Sequence, residues 1–354
     1  MLTIFVFIVV LAVLVLAHEC GHFFAAKAAG VKVEEFGIGF PPRIYSVQRG
    51  ETRYSLNAIP LGGFVKIHGE NGGVQDDPRS FASRSVLSRL WIISAGVVMN
   101  VVLAFVILAV GHTVGLPQVL EGGESYVQDR HVAVLSVLPG TPAAEAELKP
   151  GDRIVAIDAT LASSVKVLQE YVSARVGNPL DFKIERQGEI KTLEIIPQLL
   201  PSTGRGGIGV GLADMGLVQY PFWLAPWYAF LDTFSLLAAI VTSLASTLWS
   251  IVVGQGAPLD IAGPVGVASL TGQAARMGFS YLLQFMAVLS LNLAVINFFP
   301  FPALDGGRAF LLALEGIRRR PLSARLEGAL HTAGFMLLLA MVVLVTYRDV
   351  MKLF

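Results

Sequence analysis

The chain of 354 residues is strongly apolar, since 54% of its residues are hydrophobic and only 15% are charged. Soluble domains carry about 25% charged residues, so the composition excludes an ordinary soluble protein and predicts a polytopic membrane protein with some soluble mass. The formal net charge of zero argues against a nucleic-acid partner. The single cysteine, Cys20, excludes an intramolecular disulfide.

Four segments are long and apolar enough to cross a bilayer, which takes about 20 residues. They are predicted at residues 2–24, 92–114, 281–299 and 329–347. The first segment has no positively charged start and no small-residue cleavage site. We therefore interpret it as a retained first transmembrane helix rather than a signal peptide.

Two regions between these segments have the patterns of β-structure. In residues 30–89, Tyr54, Leu56 and Ala58 alternate with polar residues before Pro60 and a pair of glycines break the pattern. This predicts short β-hairpins at the membrane face. Residues 121–213 alternate short Val- and Ile-rich runs with turns, which predicts a small β-rich soluble domain with one helix at 163–176.

Residues 223–253 are apolar enough to form a fifth span, but the placement of arginines argues otherwise. The loop before the second span is rich in arginine, and the loop after the third holds Arg318, Arg319 and Arg320. Positively charged loops favour the cytoplasmic side. The two loops share a side only if an even number of spans separates them, so residues 223–253 are predicted to form an interfacial or half-buried helix.

The predicted organisation therefore has four parts. They are a first membrane half at residues 1–120, a soluble domain at 121–213, an interfacial helix with its linker at 214–280, and a second membrane half at 281–354.

The end of the first span carries an H-E-x-x-H motif, His18-Glu19-Cys20-Gly21-His22. On a helix His18 and His22 share one face, where two imidazoles can bind one zinc ion. Glu19 is then the predicted base for water, whose pKa zinc lowers to about 7. The alternatives are a chance match or a polar helix end, but ionisable groups at membrane depth are costly and usually functional. Cys20 points about 100° away from its neighbours and is predicted to be a packing residue.

A catalytic zinc ion needs a third protein ligand beside its open position. Asp305 follows the third span directly, after Pro300 and Pro302 break the helix. Broken backbone at membrane depth is tolerated where it is buried or lines a water-filled cavity. Asp305 is therefore the predicted third ligand, and the alternative is that it caps the next helix. The remaining histidines are predicted to be structural: His68, His112, His131 and His331.

Four motifs occur together in one order: H-E-C-G-H, IPLGGFVKIHGE, GPVG at residues 263–266, and NFFPFPALDGG at residues 297–307. With them the chain resembles the site-2 protease family of intramembrane metalloproteases, and more closely its regulator-of-sigma-E protease branch. The resemblance implies that His18, His22 and Asp305 bind zinc and that Glu19 is the general base. It also implies that Asn297 and Asn292 orient substrate backbone, although the residues alone would suggest only polar contacts between helices.

The same resemblance implies a membrane-re-entrant β element in the first loop and a PDZ domain, with LPGTPAAEAELKPGDRIVAIDA as its core. Many members of the branch carry two PDZ domains, whereas residues 121–213 have room for one. In the second span, SAGVVMN has valines where the family often has a proline before the methionine. Within this segment, the resemblance to the family therefore extends only to Asn100.

The predicted fold is a polytopic α-helical membrane protein with about four transmembrane helices, a membrane-associated β-hairpin region and one inserted β-rich PDZ-like domain. The predicted function is zinc-dependent hydrolysis of peptide bonds in or near transmembrane segments of other membrane proteins, such as anti-sigma factors or remnant signal peptides, in the bacterial inner membrane. Two other classes stay open, a membrane PDZ scaffold with an inactive protease core and a metal transporter. Glu19 beside both histidines argues against the first, and the few ionisable groups in the later spans argue against the second.

Overall fold

The computed structural model describes residues 2–70, 76–122, 124–186, 188–200, 204, 206–254, 262–318 and 324–351. The chain divides into two compact units. A helical unit combines Met1–Val110 with Pro226–Phe354, and a β-rich unit comprises Gly111–Ala225. Arg319 and Arg320 of the predicted positive loop lie outside the described residues.

The helices and strands of the described residues follow one another along the chain. In order they are α1 (Leu2–Ala28), β1 (Val33–Arg49), β2 (Thr52–Ile67), a short 3-10 helix (Phe81–Ser83), α2 (Val86–Val114), β3 (Leu116–Val119), β4 (Val127–Val137), α3 (Pro142–Glu145), β5 (Arg153–Ile157), β6 (Thr160–Leu161), α4 (Val165–Ser173), β7 (Leu180–Arg186), β8 (Glu189–Ile195), β9 (Gln198–Leu199), β10 (Gly206–Gly207), β11 (Val210–Val218), α5 (Ala225–Val252), α6 (Pro264–Met277), α7 (Phe279–Phe298), α8 (Asp305–Arg318) and α9 (Ala324–Met351).

Five helices in the described part of the chain are long and apolar enough to cross a membrane. They are α1, α2, α5, α7 and the Gly328–Met351 part of α9. Four of them overlap the predicted spans, and the fifth, α5, covers the segment predicted to be interfacial. Because length and composition do not separate a crossing helix from one that lies on the membrane surface, the predicted number of spans stays a prediction.

The loop between α1 and α2 forms antiparallel β-structure, which confirms the predicted hairpins. β1 and β2 pair along their length and fold back on themselves, so that Phe36 lies opposite both Tyr54 and Val65. The first half of β1 therefore lies between two stretches of β2. This sheet packs on α1 through Phe23, whose ring centroid lies 5.4 Å from that of Phe36 and 6.2 Å from that of Tyr54.

Small residues allow α1 and α2 to approach closely. A Cβ atom added at Gly21 would lie 2.2 Å from the carbonyl oxygen of Ala95, so only glycine fits there. Alanines of both helices, including Ala25, Ala26 and Ala95, belong to the buried apolar cluster at this contact. The glycine inside the H-E-C-G-H motif thus fixes the distance between α1 and α2.

The β-rich unit is built on one seven-stranded sheet. Its strand order is β3-β11-β4-β5-β7-β8, with β6 paired to β5. Buried aliphatic residues of these strands and of α4 form one core, in which Ile157, Leu168 and Phe182 are almost fully covered. The side chain of Ser164 accepts a hydrogen bond from Val167 N–H, which starts α4 inside the predicted helical segment. β3 and the end of β11 pair with each other, so the sheet extends beyond the predicted limits of 121 and 213.

The GPVG motif forms the start of α6, and α9 supplies its cap. Gly263 has no side chain to offer, but Asp349 Oδ2 accepts a hydrogen bond of 2.7 Å from Gly266 N–H. A Cβ atom at Gly263 would lie 2.8 Å from the same oxygen and 2.7 Å from Val345 Cγ1. The motif therefore needs glycine because the end of α9 packs directly against it.

We expect Asp349→Ala to lower the free energy of unfolding by about 1–2 kcal/mol, because the buried first turn of α6 loses its acceptor. Asp349→Asn is the matched control, since an amide oxygen caps a helix about as well as a carboxylate does. Thermal unfolding in detergent would measure both variants. An alanine variant as stable as the original chain would show that this contact does not hold α6.

Candidate metal centre

Three electron-pair donors from α1 and α8 converge on one point. His18 Nε2 lies 3.1 Å from His22 Nε2 and 2.9 Å from Asp305 Oδ2, and His22 Nε2 lies 3.3 Å from the same oxygen. His18 is buried, and the other two residues are partly buried. The fold thus joins the two ends of the chain at the residues that the sequence predicts as metal ligands.

This triangle of atoms fits a zinc ion. Zinc bonds of about 2.0–2.1 Å in tetrahedral geometry place neighbouring ligand atoms about 3.3–3.4 Å apart. The observed spacings of 2.9–3.3 Å are slightly smaller, so a small outward movement of the three side chains would admit the ion. Asp305 Oδ2 is buried, and no donor among the described residues meets it with hydrogen-bond geometry. Two imidazoles and one carboxylate are also a typical catalytic zinc set.

The turn before α8 places Asp305. α7 ends at Phe298, and Ala303 adopts a φ of 83°, an unusual conformation for a residue with a side chain. His331 on α9 supports this turn, since its Nδ1 accepts a hydrogen bond of 3.0 Å from Ala303 N–H. The structural role predicted for His331 is thus to hold the segment that precedes the third ligand.

The glycines of the L-D-G-G sequence let α8 start directly against that turn. A Cβ atom at Gly306 would lie 2.2 Å from the Phe298 carbonyl oxygen, and one at Gly307 would lie 2.1 Å from that of Phe301. Asp305 is the first residue of α8, where a negative charge is also favourable. A carboxyl group must be ionised to bind a metal ion.

One face of α2 lies behind both histidines. His22 Nδ1–H donates a hydrogen bond of 2.9 Å to the Ile92 carbonyl, and Asn100 lies 3.3 Å from His18 Nδ1. Gly96 lies between Ile92 and Asn100 in sequence, and a Cβ atom at Gly96 would come within 2.4 Å of His22 Nε2. α2 thus orients the imidazoles and leaves open the space that a side chain at residue 96 would fill.

Two cavities flank the three ligands, and Glu19 lines both. The larger has a volume of about 310 Å³ and is lined mainly by apolar residues, with Phe40 and Gly63 from the hairpins. The smaller, of about 210 Å³, contains the ion pair between Glu70 and Arg308. The Glu19 side chain thus lies beside the metal position, with open space on either side of it.

The two asparagines that are predicted to bind substrate have different surroundings in the structure. Asn297 is partly buried and lines the larger cavity together with Glu19 and Asp305. The Asn292 side chain instead donates a hydrogen bond of 2.9 Å to the Val288 carbonyl of its own helix. Both roles stay predictions, and Asn297 is the one that faces the reacting groups.

Several residues around the ligands did not stand out in the sequence. The Ile92 carbonyl is a backbone group that no sequence motif marks. Gly96 follows it after four residues, and Asn100, which the family resemblance had already singled out, follows after four more, which is the spacing of one helix face. Arg308 lies one turn after Asp305 on α8, but its partner Glu70 comes from a distant loop. The four-residue spacing in α2 is the one signal that could have been found beforehand.

The β-rich region resembles PDZ domains of known structure. The PDZ domain of the SdrC-like protein Lin2157 from Listeria innocua is 29% identical and matches 23% of this chain and 92% of that domain, with a TM-score of 0.22. A structure from Geobacillus thermodenitrificans is 31% identical over 23% of this chain and 94% of its own, with a TM-score of 0.21.

Relatives of the whole chain carry zinc metalloprotease names. One from Clostridium perfringens is 36% identical over 338 residues, which cover 95% of each protein. The zinc metalloprotease RasP of Geobacillus kaustophilus is 29% identical over 437 residues, which cover 98% of this chain and 97% of RasP. The family model that matches residues 6–341 is Peptidase family M50. With its two histidines, its glutamate and its distant aspartate in one cluster, the chain belongs to Peptidase family M50.

Proposed function

We propose that this protein hydrolyses peptide bonds in or near transmembrane segments of other membrane proteins, with a zinc ion held by His18, His22 and Asp305. The observation that carries the proposal is the triangle of three donor atoms beside Glu19, formed by the membrane-length helix α1 and the first residue of α8. The chain itself is a zinc metalloprotease of the site-2 type, as its family and its zinc metalloprotease relatives indicate.

Glu19 is the residue that we assign to proton transfer. When bound, zinc polarises the scissile carbonyl and makes water acidic enough to attack at neutral pH. The Glu19 carboxylate lines both cavities at the metal position, so it can accept the proton of that water and pass it to the leaving amine. Its presence beside both histidines disfavours the scaffold with an inactive core.

The larger cavity is the proposed substrate site. A helical substrate hides its carbonyls in its own hydrogen bonds, so it must be extended before it can be cut. Gly63 of β2 lies against Glu19, since a Cβ atom there would be 3.5 Å from Glu19 Cγ. An extended substrate could add to this strand while Asn297 contacts its backbone from the opposite wall. Asn292 would first have to release its bond to Val288.

The metal centre also supports the four-span topology. On this proposal, the contact between His18 and Asp305 requires the C-terminal ends of α1 and α7 to lie on the same side of the membrane, so that an even number of crossings separates them. α2 and α7 already account for two crossings. α6 lies at the opposite end, because Gly272 abuts Thr3 near the start of α1. If α5 crossed, the chain would have to cross back between Val252 and Pro264, and so short a segment cannot form a membrane-spanning helix, which takes about 20 residues. We therefore assign α5 to the membrane surface. We also propose that the protein lies in a bacterial inner membrane and that residues 121–213 form the PDZ-like domain between spans.

Glu19→Gln should keep zinc and lose activity, because the amide has the same shape but cannot accept the proton. We expect cleavage of a model membrane substrate to fall by about 10²–10⁴-fold, while metal analysis shows an unchanged zinc content. Cys20→Ala serves as the neighbouring control, because Cys20 is a free thiol in the same helix turn and has no assigned role. Near-normal turnover of the glutamine variant would refute the assignment of the base.

Asp305→Asn should release most of the zinc, because a neutral amide is a poor ligand for this ion. Asp305→Glu keeps the charge but moves it by one methylene, so it should retain some metal and lose most activity. Zinc content and zinc affinity in detergent measure both. If Asp305 served only as the start of α8, asparagine would replace it without loss, and zinc retained in that variant would contradict the ligand role.

Cysteine labelling tests the proposed topology. In a Cys20→Ala background, cysteines at Ser83, at Ser173 and at Ile317, which is 81% exposed, report on the first loop, the β-rich unit and the end of α8. We expect Ile317→Cys to react with membrane-impermeant reagents from the same side as Ser83→Cys and from the side opposite to Ser173→Cys. Labelling of Ile317→Cys together with Ser173→Cys would instead make α5 a true span.

A further inference from the structure

We propose that Asn100 determines which ring nitrogen of His18 carries the proton, and thereby prepares His18 Nε2 to bind the metal. The inference rests on the zinc site proposed above. Asn100 does not touch the metal position itself, so its role is that of a positioning residue acting through His18. Metal-binding histidines commonly need such a partner on the second ring nitrogen.

The carboxamide of Asn100 is completely buried and lies against the first ligand. Its side-chain nitrogen is 3.3 Å from His18 Nδ1, and its Oδ1 is buried without a hydrogen-bond partner among the residues that the structure describes. A buried acceptor without a donor is energetically unfavourable. The present orientation of the amide therefore leaves one of its two polar atoms unsatisfied next to the metal centre.

The same orientation places the His18 proton on the wrong nitrogen for metal binding. If the amide nitrogen donates to Nδ1, a neutral imidazole carries its own proton on Nε2, the atom that faces His22 and Asp305. Nε2 can bind a metal only when it is free of that proton. A donating amide and a ligating Nε2 are thus incompatible in a neutral His18.

A half-turn of the amide about its Cβ–Cγ bond resolves both problems. The turn exchanges the oxygen and the nitrogen while the group fills the same volume. Asn100 Oδ1 then accepts a hydrogen bond from His18 Nδ1–H, and Nε2 keeps its electron pair for the ion. The two orientations of one side chain therefore correspond to the two tautomers of His18, and metal binding selects the accepting one.

His22 already makes the kind of Nδ1–H hydrogen bond that we propose for His18. His22 Nδ1–H donates to the Ile92 carbonyl, which can only accept, so its Nε2 is always free for the metal. Ile92, Gly96 and Asn100 lie on one face of α2 at four-residue intervals. α2 thus offers a hydrogen-bond acceptor to each imidazole. The acceptor for His22 is a backbone carbonyl, which cannot turn, and the acceptor for His18 is a side-chain amide, which can.

α7 holds the backbone of Asn100 in place. The buried Ser290 hydroxyl donates a hydrogen bond of 2.8 Å to the Asn100 carbonyl oxygen. This contact involves the main chain and leaves the carboxamide free to turn. Ser290 therefore offers a control that perturbs the same residue without removing the proposed acceptor.

Zinc affinity of the full-length protein in detergent, measured by competition with a chromophoric chelator, tests the proposal. Asn100→Leu keeps the volume and removes the acceptor, so the dissociation constant should rise by about 10–100-fold. Asn100→Asp keeps an acceptor for Nδ1–H and should bind zinc within about threefold of the original chain. Ser290→Ala should bind zinc as the original chain does. Thermal unfolding of the metal-free proteins checks that each variant folds, and Asn100→Ala replaces the leucine variant if that one does not.

Two results would overturn the proposal. One is unchanged zinc affinity in the folded variant that lacks the acceptor. The other is an equal loss in Asn100→Asp and Asn100→Leu, because it would show that packing or an N–H donor matters and an acceptor does not. The variant His22→Ala distinguishes a failure of the role proposed for Asn100 from a failure of the zinc site itself. If His22→Ala loses zinc while Asn100→Leu retains it, the site is right and the role of Asn100 is wrong. If His22→Ala also retains zinc, the site is wrong.

Discussion

The structure depends on bringing one carboxylate from the end of the chain to two imidazoles near its start. Ionisable groups within membrane-length helices are costly unless they pair with each other or with an ion. Asp305 and the two histidines meet that condition together, and none of the three would be satisfied alone. α1 must therefore lie beside the turn between α7 and α8, which brings Asp305 to the two histidines.

Close backbone approach is what makes this meeting possible. Gly21 brings α2 against α1, and Gly96 leaves the space in front of the imidazoles. Gly306 and Gly307 do the same for α8 and the turn before it. At each of these positions the atom that a Cβ would meet is backbone or a ligand ring. The glycines of the H-E-C-G-H and NFFPFPALDGG motifs are thus explained by the close approach of backbone segments.

The sequence was sufficient to predict the hairpins and to single out the residues that we propose as ligands and base, because each has a local signature. The H-E-C-G-H spacing fixes one helix face, and Pro300 and Pro302 mark the break before Asp305. Contacts between distant segments have no such signature. The Ile92 carbonyl, the Glu70–Arg308 pair and the cap that Asp349 gives to α6 depend on packing. The limits of the β-rich unit were also set by pairing, since β3 belongs to the sheet only through β11.

The larger cavity beside Glu19 has a consequence for inhibitors. Its walls combine aliphatic side chains, Leu11, Val15 and Leu293, with the metal ligands at one end and the amide of Asn297 nearby. A compound with a chelating head group and a short aliphatic arm would meet complementary chemistry at both ends. A hydrogen-bond acceptor between them would face Asn297. Selectivity over soluble zinc proteases would then come from the arm, which would have to fit a cavity lined by aliphatic side chains.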